Sequence, residues 1–82
     1  MSDIDMSDPK VHAKFDLYAT RFEQGDWFTC QLYRLFDKAD EGNKARLAIG
    51  FPLESEVWHE WYFAPSEREY FAEFIAARQQ QA

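Results

Sequence analysis

Cysteine, glycine and proline are all scarce in this chain. Its 82 residues include one cysteine, three glycines and three prolines. A single cysteine, Cys30, excludes an intramolecular disulfide, which is the usual support of small secreted domains. The glycines are isolated from one another, at 25, 42 and 50, so the chain has no glycine-rich loop that could hold a phosphate group. Each glycine instead lies where a helix is expected to end.

Long apolar runs are absent as well. No segment approaches the roughly 20 apolar residues that a membrane-spanning helix needs. The N-terminal stretch MSDIDMSDPK is acidic and has no apolar run of the kind found in signal peptides. The sequence therefore predicts a soluble cytoplasmic protein that does not interact with membranes.

Negative charge concentrates in the C-terminal third. The formal net charge is −6, and residues 51–82 hold six acids against two bases, whereas residues 1–50 hold nine acids and seven bases. An acidic protein repels phosphate backbones, which argues against direct binding of nucleic acid and favours a partner with a basic surface, such as a nucleic-acid-binding protein. The alternative is that the acids only keep the protein soluble.

The spacing of apolar residues predicts an all-α fold, a compact bundle of four to five short helices in one domain. The helical domain is expected to span residues 8–78, between flexible tails at 1–7 and 79–82. Ser7 or Asp8 is predicted to cap the first helix, with Pro9 in its first turn and Gly25 at its end. Its apolar stripe is Val11, Phe15, Tyr18 and Phe22.

Two further helices are predicted before Pro52. Asp26 is expected to cap the second helix, over residues 27–40, and Asn43 a short third helix that ends at Gly50 and turns Leu47 and Ala48 inward. The second helix is apolar over much of its circumference, so we expect it in the middle of the bundle. Its main stripe is Phe28, Leu32, Leu35 and Ala39, which Trp27, Cys30, Tyr33 and Phe36 widen.

The stretch EVWHEWYFAP, residues 56–65, fits either a helix or a strand. We favour a helix because Leu53 extends the helical stripe and because no second strand is available to pair with this one. In that helix Val57 and Trp61 should be core, while Phe63 and part of Trp58 are the rings least easily buried. A last helix follows, opened by a capping box from Ser66 to Glu69.

No complete set of catalytic or metal-binding residues is visible. His12 and Asp16 lie four residues apart, but two ligands do not make a zinc site. Cys30 has no glycine-rich turn before it to form an oxyanion hole, and His59 lacks the second histidine of a metalloprotease helix. We therefore expect no enzyme activity, no metal and no cofactor, and a structural role for a buried Cys30.

Fifteen aromatic residues, 18% of the chain, are difficult to bury in a domain of this size. Some of these rings are therefore expected on a surface that meets another molecule, where rings anchor the partner and acids steer its approach. The predicted partner-binding residues are Glu54, Trp58, Glu60, Phe63, Glu67 and Glu73.

Residues 32–61 resemble a pattern found in small uncharacterised proteins of bacteriophages and prophages. The pattern is a leucine-rich helix followed by KAD and N..RLA.GFP.E...W, from Leu32 to Trp58 in this chain. The resemblance implies an inhibitor or modulator that binds a host protein stoichiometrically, of an anti-CRISPR-like type that covers a basic nucleic-acid-binding surface. The alternatives are a homo-oligomeric assembly protein, such as a homodimer, and a helix-turn-helix DNA-binding regulator that uses the basic residues Arg34, Lys38, Lys44 and Arg46.

Overall fold

The computed structural model describes residues 4–81 of the chain, which contain six helices and no strand. This confirms the all-α prediction and the helical reading of residues 56–63. None of the described helices combines the length and the apolar composition needed to cross a membrane. The helices are α1 (Pro9–Phe22), α2 (Phe28–Lys38), α3 (Glu41–Gly50), α4 (Pro52–Phe63), α5 (Glu67–Tyr70) and α6 (Ala72–Gln81).

Hydrogen bonds to nearby carboxylates cap the starts of α1 and α3. The backbone N–H groups of Lys10 and Val11 donate to the Asp8 carboxylate, which confirms Asp8 as the cap of α1. The cap of α3 is Asp40, and the prediction of Asn43 was wrong, because the Asn43 N–H itself donates to the Asp40 carboxylate at 2.8 Å.

The predicted caps of α2 and α5 differ in outcome. Trp27, and not Asp26 as predicted, is the cap residue of α2, and its side chain makes no capping hydrogen bond. Ser66 caps α5 as predicted, since its hydroxyl accepts a hydrogen bond from the Glu69 N–H.

The end of α1 depends on two neighbouring residues. Gln24 takes up the left-handed conformation, with φ of 56°, and so reverses the chain. Gly25 is needed for a different reason: a β-carbon there would lie 2.7 Å from the Cys30 Sγ and 3.1 Å from the Trp27 ring. Glycine thus permits the chain to pass close to the buried thiol, and Cys30 is fully buried as predicted.

Helix α4 is the centre of the packing, because it contacts α1, α2 and α3. The prediction had placed α2 in the middle, with the stripe of Phe28 and Leu35 turned inward. That prediction was wrong: α2 packs chiefly on α1 and α4, and it leaves both side chains exposed. The side chains of α2 that are buried are Cys30, Leu32, Tyr33 and Phe36. The Tyr33 hydroxyl donates to the Ala13 carbonyl at 2.8 Å, which ties α2 to α1.

The buried face of α4 also differs from the predicted one. Val57 is fully buried as predicted. The buried aromatic residue of α4, however, is Trp58, at 3% exposure, and Trp61 is only partly buried. Adjacent residues on a helix point about 100° apart, so burying both Val57 and Trp58 requires a buried arc at least that wide. Helices pack on α4 from several sides and bury a wider arc than a single stripe.

Both ends of the described chain, which were predicted as flexible tails, include residues with defined structure. Ile4 packs against the core, and Ser7 donates hydrogen bonds to Asp5 in a turn before α1. Near the other end a single last helix was predicted, but the helix is interrupted at the buried residue Phe71, which separates α5 from α6. Gln79–Gln81 continue α6. The rest of the predicted tails, residues 1–3 and 82, lies outside the described residues.

Candidate protein-binding surface

The six predicted partner-binding residues all lie in the C-terminal half of the fold. Helix α4 carries Glu54, Trp58, Glu60 and Phe63, while the other two are in later helices: α5 begins at Glu67 and α6 contains Glu73. They differ greatly in exposure and in their bonds, so each is described below with its contacts.

Trp58 is part of the core and is not available to a partner. Its indole N–H donates to the Asp37 carboxylate of α2 at 3.0 Å, and its ring stacks on Phe36 with centroids 6.0 Å apart. The Lys44 ammonium group of α3 lies 4.8 Å from the ring centroid, on a ring that is 3% exposed. The prediction of Trp58 as an interface anchor was therefore wrong, because this side chain joins α2, α3 and α4.

Phe63 is exposed as predicted, and Tyr62 is exposed beside it. The exposed fractions are 75% for Phe63 and 60% for Tyr62. The two rings are perpendicular with centroids 5.1 Å apart, and Tyr62 also stacks on the buried Trp58 at 5.0 Å. We call Tyr62 and Phe63 the α4 ring pair. A buried ring thus supports an exposed one, which limits the conformational entropy that a partner would have to remove on binding.

Sequence reasoning missed Tyr62 as a surface ring. It placed Tyr62 beside the predicted core line of α4, next to Trp61. The signal that could have found it is the helical spacing from Trp58 to Tyr62, which lets the two rings stack along the helix surface. If Trp58 faces the core at the edge of the buried arc, the residue four positions later covers its outer side.

Glu60 is engaged within the molecule. The Lys10 ammonium group of α1 lies 2.7 Å from both the Glu56 and the Glu60 carboxylates, and the Tyr70 hydroxyl donates to Glu60 at 2.8 Å. The hydrogen bond from Lys10 lowers the pKa of Glu60 below its ordinary value, and the one from Tyr70 adds to this effect. Hydrogen bonds to both carboxylates in turn raise the pKa of Lys10.

Glu67 and Glu73 are paired with α1 in the same way. The Arg21 guanidinium lies 3.3 Å from the Glu67 carboxylate, which also accepts a hydrogen bond from the Trp61 indole at 3.0 Å. Lys14 lies 3.2 Å from Glu73. Three of the four predicted acids therefore have a basic partner in α1 and do not form a free acidic face.

Glu54 differs from the other three acids. It is half-buried, and it makes no ion pair with any residue from 4 to 81.

The pairing of the other three acids was visible in principle, since Lys10, Lys14 and Arg21 are spaced by four and seven residues and so share one face of α1. Sequence reasoning did not show which acids that face would meet.

Side chains with chemical reactivity serve the packing in this structure. Asp16 is buried at 4% exposure, where it accepts a hydrogen bond from the Trp27 indole at 3.1 Å and lies 3.2 Å from His12. His59 bonds to the Ser55 carbonyl oxygen of its own helix at 2.7 Å. Within residues 4–81 no group of three or more histidine, cysteine, aspartate or glutamate residues is placed to hold a metal ion.

Comparisons of this chain with protein-family models, with curated proteins and with solved structures found no match. The candidate site therefore rests on the residues and contacts described above.

Proposed function

We propose that this protein is a small modulator that acts by stoichiometric binding to another protein, of the phage-type class that its sequence pattern implies. The observation that carries the proposal is the α4 ring pair, Tyr62 and Phe63, exposed at the C-terminal end of a helix that also contributes Val57 and Trp58 to the core. Large rings left in water beside a packed core are typical of protein interfaces, where they supply much of the binding energy.

The charges modify the chemistry of the partner that was predicted from sequence. Because α1 neutralises Glu60, Glu67 and Glu73, the binding energy is assigned to the rings rather than to an acidic face. The protein still carries a net charge of −6, so long-range attraction favours a partner with a basic surface, including one that normally holds nucleic acid.

The test compares ring variants for binding to a common partner. Tagged wild-type protein captures binding proteins from a bacterial host lysate, and the affinity of each captured protein is then measured with Tyr62→Ala, Phe63→Ala and the double variant. We expect the double variant to lose at least tenfold in affinity, since anchor rings commonly contribute about 2 kcal/mol or more. Unfolding by urea should leave these variants close to wild type, because both rings are exposed.

Ile49→Ala is the matched control, because Ile49 is 84% exposed and lies on α3. Equal affinity of the double variant and the control would contradict the proposal. Light scattering during size exclusion tests the main alternative, a homo-oligomeric assembly protein. If wild type is a dimer and Phe63→Ala is a monomer, the ring pair forms a homo-oligomer interface and the protein is better described as an assembly protein.

A further inference from the structure

A second apolar surface lies between α2 and α3, away from the α4 ring pair. It is a groove of about 400 Å³ whose lining includes four apolar side chains and two basic ones. We call it the α2–α3 groove. Its apolar residues are Leu35, Ala39, Leu47 and Phe51, and its basic residues are Lys38 and Arg46.

The apolar floor of this groove is continuous with an exposed ring. Leu35 is 54% exposed and Phe28 is 69% exposed, and the Phe28 ring lies 6.0 Å from that of Phe51. Phe28, Leu35 and Ala39 are three members of the apolar stripe that the sequence predicted to be buried. The fold buries Leu32 of this stripe but leaves Phe28 and Leu35 exposed beside the groove.

The charges of the groove are opposite in sign to the charge of the protein. Lys38 and Arg46 are the only charged residues in its lining, in a chain of net charge −6. Among residues 4–81, no carboxylate lies within 4 Å of either side chain. Of the acids nearest in sequence, Asp37 accepts a hydrogen bond from Trp58 and Asp40 caps α3. Glu41, at the start of α3, is exposed and makes no ion pair among residues 4–81. The groove thus presents positive charge beside apolar surface.

We infer that the α2–α3 groove binds an acidic amphipathic helix of a partner protein. The apolar side chains of such a helix would pack on Leu35 and Phe51, and its flanking aspartates or glutamates would meet Lys38 and Arg46. Helices with an apolar face commonly bind in grooves between two helices, anchored by residues three and four apart. Nucleic acid fits the groove less well, because its lining is mainly apolar and the net charge of the protein repels phosphates. This inference does not depend on the function proposed for the α4 ring pair.

The test uses a synthetic peptide of about 16 residues as the probe. The peptide carries leucines at helical spacing on one face and glutamates on both flanks, with a fluorescent label for anisotropy measurements at low salt. A second peptide has every glutamate replaced by lysine, and a third keeps the glutamates but has serine in place of leucine. We expect the first peptide to bind at least tenfold more tightly than either of the others.

Variants of the protein locate the binding. Lys38→Glu combined with Arg46→Glu should weaken the acidic peptide at least tenfold and favour the lysine peptide, whereas Arg68→Glu, an exposed base of α5, should change neither affinity. Leu35→Ser should also weaken binding, with Ile49→Ser as the matched control at an exposed position outside the groove lining. Should Leu35→Ser fail to fold by circular dichroism, the two charge variants carry the test alone.

Four results would overturn the inference. The first is equal binding of the acidic and lysine peptides, and the second is unchanged binding by the double charge variant. The third is tight binding of duplex DNA that the same double variant abolishes, which would make the groove a nucleic-acid surface. Self-association that is lost in Leu35→Ser would likewise overturn it, since the occupant would then be a second copy of this chain.

Discussion

Replacing Trp58 by alanine should be the most damaging single change in α4. A buried aromatic side chain removes roughly 150–250 Å² from water, and at about 25 cal/mol per Å² this burial contributes about 4–6 kcal/mol. Emptying such a site in real cores costs about 3–5 kcal/mol. The Asp37 carboxylate that loses the indole N–H is exposed and lies 3.5 Å from Arg21, so leaving it without Trp58 adds little.

That cost is large for a chain of this length. Domains typically have about 0.05–0.15 kcal/mol of stability per residue, or roughly 4–12 kcal/mol for this protein. Trp58→Ala should therefore lose a large part of the stability of the fold, and at the low end of that range it should be partly unfolded at 25 °C. Trp61→Ala should cost less, about 1–3 kcal/mol, because Trp61 is only partly buried.

Urea unfolding followed by far-UV circular dichroism measures these differences. The control is Phe63→Ala, which should remain within about 0.5 kcal/mol of wild type because Phe63 is 75% exposed. If Trp61→Ala proves as destabilising as Trp58→Ala or more so, the helical phase assigned to α4 is incorrect. A Phe63→Ala variant that unfolds as readily as Trp58→Ala would refute the assignment of the α4 ring pair to the surface.

Three further changes test local features of the fold. Gly25→Ala should lower the free energy of unfolding by about 1–3 kcal/mol, and the urea midpoint with it, because its β-carbon would lie 2.7 Å from the Cys30 Sγ. An unchanged midpoint would contradict that contact. Gln24→Gly should raise stability by up to about 1 kcal/mol, since Gln24 has a φ of 56° that glycine adopts without strain; a loss of stability would argue against this conformation. Glu60→Gln should lower the thermal midpoint at pH 7, and by progressively less as the pH is lowered from 4.5: the pKa of Glu60 is lowered in the fold by Lys10, so its contribution is present above its ordinary pKa of 4.5 and disappears as the pH falls through the folded value. A difference between Glu60→Gln and wild type that does not change with pH would refute this reasoning.

Alkaline conditions should act on the hydroxyls of Tyr33 and Tyr70. Burial raises the pKa of Tyr33, and burial together with the hydrogen bond to Glu60 raises that of Tyr70. Both hydroxyls stay protonated in the folded protein at pH values where they would ionise in the unfolded chain. Stability is therefore expected to fall above pH 10, the ordinary pKa of tyrosine, as the unfolded state loses these protons first.

The sequence alone was sufficient for the all-α fold and for several helix starts, although α5 and α6 were predicted as one helix. Asp8 before Pro9 and Ser66 mark starts that the structure confirms, because a cap depends on a side chain and on backbone groups within three residues of it. Pro52 marks the start of α4 for another reason, since a proline in the first turn of a helix lacks an N–H that would have no partner there. The exposure of Phe63 was predicted as well, since it lies on the far side of the helix from the predicted core line that includes Val57 and Trp61. Errors at this level were small, such as Asp40 in place of Asn43 as the cap of α3.

Only the tertiary structure decided which apolar face of each helix is buried and which charges are free. Helix α2 is apolar on more than one side, and the positions of α1 and α4 determine that Tyr33 and Phe36 are buried while Phe28 and Leu35 remain in water. The periodicity of one helix does not specify where its neighbours lie. The acids of the C-terminal third likewise meet bases from α1 that are 46 to 59 residues distant in sequence, as the bonds to Glu67 and Glu73 illustrate. Local spacing determines a helix and its ends, whereas a surface is whatever the packing of all the helices leaves uncovered.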